Sequence, residues 1–127
     1  MQIAIHIVSS QIVLPQQKAE DSVGAWIEFT GLVRGEESGQ RIAGLVYEAY
    51  QPMAELEMRR LLEELAVPHP CLSAHVIHRI GVVPVGEAAI YVGVASAHRA
   101  NGFALLMGFM DRLKQDVPIW KSGVLPC

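Results

Sequence analysis

The chain has 127 residues, with 51% hydrophobic and 18% charged composition, which describes one folded domain able to bury roughly two thirds of its unfolded surface. A net charge of −3 argues against a nucleic-acid surface, and no apolar run approaches the ~18 residues of a membrane span or carries the basic start of a signal peptide. The expectation is a single cytoplasmic domain over residues 1–127, with no membrane and no nucleic-acid partner.

Taken in order, Ile3 to Val8 is a short β-rich run, and Ser9 to Glu20 is compatible with an irregular helix interrupted at Pro15. From Ala25 the side chains alternate, with Ala25, Ile27, Phe29, Gly31 and Val33 on one face and Trp26, Glu28, Thr30 and Leu32 on the other, the pattern of a half-buried strand. Arg34 follows directly, then the polar GEESGQ stretch and a second strand over Ile42 to Tyr50. Adjacency predicts that these two strands form a hairpin with Arg34 at the root of its loop. Pro52 to Leu65 is an amphipathic helix with its apolar side on Ala54, Met58, Leu61, Leu62 and Leu65 and a Glu55–Arg59 pair at i,i+4 spacing. Leu72 to Ile80 and Ala88 to Ser96 read as strands joined by a tight reversal in GVVPVGE. The second is apolar on both faces and so belongs at the centre of a sheet. A last helix starts after His98-Arg99. The order predicts an α+β domain, and the pattern alone suggests a ferredoxin-like split β-α-β arrangement.

The chemistry-bearing side chains are mostly cationic. Through Ala66 there are five Lys/Arg against ten Asp/Glu, and from Val67 onward five against three, which suits a small anionic ligand or a peptide carboxylate. His98 and Arg99 stand where a buried strand hands over to a helix, and a helix N-terminus beside an arginine is an anion site. On that helix, at 100° per residue, Phe103, Leu106, Met107, Met110 and Leu113 fall in one apolar arc together with Lys114. A lysine there either snorkels its ammonium to water or serves an anion, and the sequence leaves both open. Lys121 follows Trp120 a few residues on. His75 and His78 are three apart on a strand, point to opposite faces and cannot clamp one metal, so they read as packing or surface residues. Cys71 and Cys127 make no CxxC pair and read as free thiols without a basic neighbour in sequence. No Walker loop, dinucleotide fingerprint, GxSxG elbow or HExxH occurs.

The segments FTGLVRG, YEAYQPMA, HRIGVVPVGEAAIYVGVASAHR and DRLKQDVPIWK, in this order and spacing over about Gly24 to Lys121, resemble the catalytic (large) subunit of molybdopterin synthase. The resemblance implies an α/β hammerhead with an additional antiparallel β-sheet in place of the ferredoxin-like alternative. It also implies a homodimer carrying one small ubiquitin-like sulfur-carrier subunit at each end, a heterotetramer in all. The carrier's C-terminal Gly-Gly thiocarboxylate would enter a pocket and deliver sulfur to cyclic pyranopterin monophosphate, with no metal or organic cofactor. By motif, Lys114 and Lys121 match the pair lining the thiocarboxylate pocket. Arg34, His98 and Arg99 match residues that bind the substrate's phosphate and pterin, with Arg34 reaching from the neighbouring protomer, while Phe29 and Met110 match apolar positions near the tail. After Trp120-Lys121 the family usually continues with a basic residue, a glutamate and a longer tail, whereas Ser122 and Gly123 follow here. That departure motivates an alternative, a non-catalytic dimeric module that docks a Gly-Gly tail without transferring sulfur.

Overall fold

A computed structural model describes Met1–Cys127 as an α+β protein with two helices and two sheets. The first sheet has the order β1 (Gln2–Val8), β5 (Ser73–Arg79), β7 (Ala88–Ser96), β2 (Ala25–Leu32). β1 and β5 run parallel, and the other two pairings are antiparallel. In the second sheet β4 (Gln40–Ala49) pairs with β3 (Glu36–Glu37), β6 (Gly81–Pro84) and β8 (Ile119–Pro126). Division of the strands between two sheets, with one parallel pair, excludes the ferredoxin-like alternative and agrees with a hammerhead fold bearing an added antiparallel sheet.

The central position of β7 follows from its composition. Eight of its nine residues are buried, because helices cover one face and the chain after β1 covers the other. On the helical side, α1 (Gln51–Leu65) and α2 (Arg99–Asp116) lay Ala54, Met58, Leu61, Leu62, Leu105, Leu106, Phe109 and Leu113 against Ile27, Ala74, Val76, Ile90, Val92 and Val94. Each large aliphatic side chain so buried stabilises the fold by about 1.5–3 kcal/mol. Pro52 sits in the first turn of α1, where its missing N–H costs nothing. The ion pairs on α1 are made by Arg60, with Glu57 at 2.8 Å and Glu64 at 2.9 Å, instead of by Glu55–Arg59. Glu64 also reaches Arg112 at 2.9 Å and ties α1 to α2.

Three expectations change. Ser9 to Glu20 forms no helix; it is an irregular strap over the outer face of the first sheet. Ile12 packs on Ile77 and Tyr91 there, and the Gln17 amide donates to the Tyr91 hydroxyl at 2.8 Å, which itself donates to the Glu28 carboxylate at 2.7 Å. Strands β2 and β4 are not a hairpin: β2 pairs with β7, β4 lies in the other sheet, and the reversal is the short β3–β4 turn with Ser38 and Gly39 at positive φ. β5 and β7 do pair, but the segment between them is no tight turn, because β6 crosses over to join β4. The two sheets therefore meet where β5 ends and β6 begins, close to the C-terminal end of α2.

Candidate active site

At that junction lies an open cavity of about 480 Å³ lined by Phe29, Gly31 and Leu32 of β2, Tyr47 of β4, His78 of β5, Ala89 and Ile90 of β7, Met110, Leu113 and Lys114 of α2, and Ile119, Trp120 and Lys121 of β8. Most of the wall is apolar and its only cations are the two lysines. Each arrives by a different local rule. Lys114 lies in the last turn of α2, where a cation is favoured by the helix dipole. Lys121 is carried by β8, which crosses β4 in the register Tyr47↔Lys121 with an irregularity between Val46 and Tyr47.

Lys114 is exposed, which corrects its placement within a buried arc. The arc divides: Leu106 and Leu113, with Leu105 and Phe109, face the core, whereas Phe103 is 58% and Met107 68% exposed, and Met110 is half-buried. Phe103, Met107, Met110 and Lys114 thus form the outer row of α2, and Lys114 ends that row at the cavity rim. Lys121 pairs with Glu37 of β3 at 3.2 Å. Burial raises the Tyr47 hydroxyl above the usual tyrosine range, the Lys121 charge lowers it and Glu37 raises it, so the phenol stays protonated at neutral pH.

The expected site residues do not all meet in one chain. Phe29, Met110, Lys114 and Lys121 share the cavity. Arg34 is exposed and lines a polar depression of about 460 Å³ with Gly35, Glu36, Ser38, Gly39 and Arg41. In sequence Arg34 stands between Leu32, which lines the cavity, and Glu37, the partner of Lys121. His98 and Arg99 line a third depression, of about 450 Å³, with Gly24, Ala97, Ala100 and Phe103. There His98 is the N-cap in extended conformation with no side-chain cap, so no capping side chain occupies the first amides of α2. The Ser96 hydroxyl accepts from the His98 N–H at 3.2 Å and donates to the His98 carbonyl, fixing the entry to the helix. Arg99 precedes Lys114 by fifteen residues of one helix, about 22 Å along its axis.

His78 is the cavity residue that pattern reading missed. It shares a face of β5 with the core residues Ala74 and Val76, is 5% exposed, and packs edge-on against Tyr47 with ring centroids 5.4 Å apart. Its Nδ1 lies 2.9 Å from the Arg79 carbonyl oxygen, and desolvation holds its pKa below the ordinary histidine value. A polar residue with the parity of an apolar strand face was the available signal. Beside it, Arg79 bridges to Glu87 at 2.7 Å and fastens the end of β5 to the start of β7. His75 faces the opposite side, edge-on to His6 at 5.3 Å and to Tyr91 at 6.2 Å. Cys71 lies apart from the cavity, half-buried, and desolvation raises its thiol pKa.

Fold and site together define a class: a two-sheet α+β protein with a largely apolar cleft that holds two lysines, and with further cationic depressions elsewhere on its surface. The sequence profile of the MoaE protein family matches residues 6–116. The chain is 40% identical over 102 residues to the molybdopterin synthase catalytic subunit of Thermoplasma volcanium, covering 80% of this chain and 74% of that one. It is 42% identical over 101 residues to the human protein of the same name, covering 80% of this chain but 54% of the relative. The crystal structure of molybdopterin synthase from Staphylococcus aureus superposes with a TM-score of 0.82 at 31% identity, over 94% of this chain and 93% of that chain. The chain belongs to the MoaE family.

Proposed function

We propose that this chain is the catalytic subunit of a molybdopterin synthase, moving sulfur from the C-terminal Gly-Gly thiocarboxylate of a small ubiquitin-like carrier onto cyclic pyranopterin monophosphate to build the dithiolene of molybdopterin. The observation that carries the reading is the single cleft in which an apolar trough of Phe29, Gly31, Leu32 and Met110 leads to Lys114 and Lys121. An extended Gly-Gly tail has no side chains to accommodate, and its terminal anion meets two ammonium groups. The thiocarboxylate sulfur bonds to a side-chain carbon of the pterin as an oxygen substituent leaves that carbon with its electron pair, which gives a thioester between carrier and substrate; water then cleaves the thioester through a tetrahedral oxyanion. Lysine charge at the cavity rim stabilises both the entering anion and that oxyanion. Two deliveries complete the dithiolene.

The separation of His98 and Arg99 from the two lysines supports a site shared between the protomers of a dimer. Arg99, at the start of α2 next to His98, lies about 22 Å from Lys114 along the helix. In a homodimer the partner's helix start reaches across to this cavity, and its first amides and guanidinium take the substrate phosphate. One carrier at each cavity gives a heterotetramer. The test is reconstitution: the chain, a thiocarboxylated carrier and the pyranopterin precursor are mixed and dithiolene product is assayed, with light scattering for the mass. Product formation by a dimer is expected. Absence of product with a carrier that is active toward another synthase refutes the catalytic reading, and a stable 13.9 kDa monomer at micromolar concentration refutes the shared site.

A further inference from the structure

Among the residues that line the cavity, four side chains can take part in proton transfer: Tyr47, His78, Lys114 and Lys121. A lysine ammonium has three donors and no lone pair, and the Tyr47 phenol keeps its proton at neutral pH. No carboxylate lines the cavity, and Glu37, which pairs with Lys121, and Glu87, which pairs with Arg79, are each held in an ion pair. His78 differs from all of these. Its Nδ1 faces a carbonyl oxygen, which only accepts, so Nδ1 carries the ring proton and Nε2 holds the lone pair. Nε2 has no hydrogen-bond partner, and it is absent from the unpartnered side-chain atoms sealed from solvent, which are Nε2 of His75 and Nε of Arg79. The imidazole is thus 95% withdrawn from water, held in one tautomer by its own backbone, and lines the cavity with its basic nitrogen left unpartnered.

We infer that His78 is the general base of this cavity, its Nε2 taking a proton from the water that cleaves the thioester between carrier and substrate. The inference rests on the sulfur-transfer reading above and adds the group that reading lacks. As the water oxygen bonds to the thioester carbonyl carbon, one of its protons passes to Nε2. The C–S bond then breaks with its electron pair leaving on the substrate sulfur as a thiolate, and the carrier departs with a C-terminal carboxyl group. That carboxyl group ionises to solvent, as does the imidazolium, so each thioester and water yield one carboxylate, one thiolate and two protons. The lysines stabilise the oxyanion and His78 moves the proton, a division of labour their donor inventories impose.

Burial that favours the neutral imidazole keeps the base in its working form at neutral pH. The charged and titratable groups around it are Tyr47 from β4, Lys121 from β8 with Glu37 from β3, Lys114 from α2, and the Arg79–Glu87 pair that joins its own strand to β7. His6 of β1 faces His75 on the other side of the sheet.

The experiment is a single turnover of the full chain with a Gly-Gly thiocarboxylate carrier and the pyranopterin precursor, quenched in acid and read by intact mass. In His78→Gln the carrier–substrate thioester should form at the wild-type rate and then accumulate, with carrier release slowed about 10²- to 10⁴-fold, the usual range for a lost general base. Wild-type release should fall with decreasing pH along a limb whose midpoint matches the His78 ring titration followed by NMR and lies below 6.5, and His78→Gln should lack that limb. Release by a folded His78→Gln within about threefold of wild type, or a limb that does not follow the His78 ring, overturns the assignment. If His78→Gln does not fold, the same reading is taken on His78→Ala with added imidazole: restored release supports the base, and no restoration in folded protein overturns it. Failure of the sulfur-transfer reading itself looks different, since wild type would then form no thioester at all.

Discussion

Exchange of each cavity lysine for methionine keeps the aliphatic stem and removes the charge, and the structure predicts that stability and activity respond very differently. Lys114 is exposed and has no ion-pair partner, so Lys114→Met should shift stability by no more than about 0.5 kcal/mol. Lys121 loses one pair with Glu37, at 3.2 Å and with side chains 53% and 29% exposed. An exposed pair of this kind is worth under about 1 kcal/mol, or about 3–5 °C in melting temperature for a chain of this size. Turnover should fall much further, because each ammonium is proposed to stabilise an anion in a largely apolar cleft; loss of one such donor costs about 10²- to 10³-fold in rate. The double variant should lose less than the product of the single losses, since both groups act on one oxyanion. Thermal unfolding and single-turnover product formation on the three variants make the comparison. Near-normal turnover in folded Lys114→Met would show that its charge serves no anion in the cleft, and activity losses that merely track the melting temperatures would show that the lysines act only through stability.

Replacing Arg99 by Ala should weaken precursor binding by about 1.5–3 kcal/mol, the worth of a charged hydrogen bond, while carrier docking at the distant end of α2 stays intact; calorimetric titration of both ligands checks this, and equal loss of both would show a structural arginine. Tyr91→Phe removes the hydroxyl that joins Gln17 and Glu28, so it should cost about 1–3 kcal/mol and speed proteolytic nicking within Ser9 to Gly24; an unchanged cleavage pattern would mean that Ile12 alone holds the strap. Stability should fall as pH drops below 6.5, because burial lowers the folded-state pKa of His75 and His78: in that window the unfolded chain binds protons that the folded chain does not, each group contributing at most about 1.4 kcal/mol per pH unit. Urea unfolding at pH 7.5 and 5.5 should show this loss, smaller in His78→Gln, and a gain on acidification would contradict it.

The parts of the fold that could be read from the chain are those in which one face decides. β7 declares itself by an unbroken apolar run, and α1 by Ala54, Met58, Leu61 and Leu62 at helical spacing. β8 could not be read, because Ser122, Gly123 and Pro126 interrupt any alternation and its strand state comes from pairing with β4. β6 was hidden likewise: Gly81 and Pro84 look like turn residues until β4 supplies partners. Pairing of β2 with β7 is a long-range choice, and sequence adjacency pointed to β4 instead. Lys114 was singled out through a mistaken premise. Lys114 stood out as a charge in an apolar arc, but Phe103 and Met107 of that arc face outward, so the lysine is at home on an exposed row that runs to the cleft. His78 was passed over because it was weighed as half of a metal pair with His75, when its meaning lies in sharing a face with Ala74 and Val76.

The central claim is that a carrier's C-terminus ends between Lys114 and Lys121, and the chain's lysine content allows it to be tested directly. There are three lysines, Lys18, Lys114 and Lys121, and a carbodiimide joins a carboxylate only to an amine in direct contact with it. The carrier in its Gly-Gly carboxylate form is mixed with the chain, activated, digested and mapped by mass spectrometry. An isopeptide bond from the terminal glycine to Nζ of Lys114 or Lys121 is expected, and none to Lys18. A terminal glycine linked to Lys18, or to neither cavity lysine in a complex shown to be formed, would contradict it.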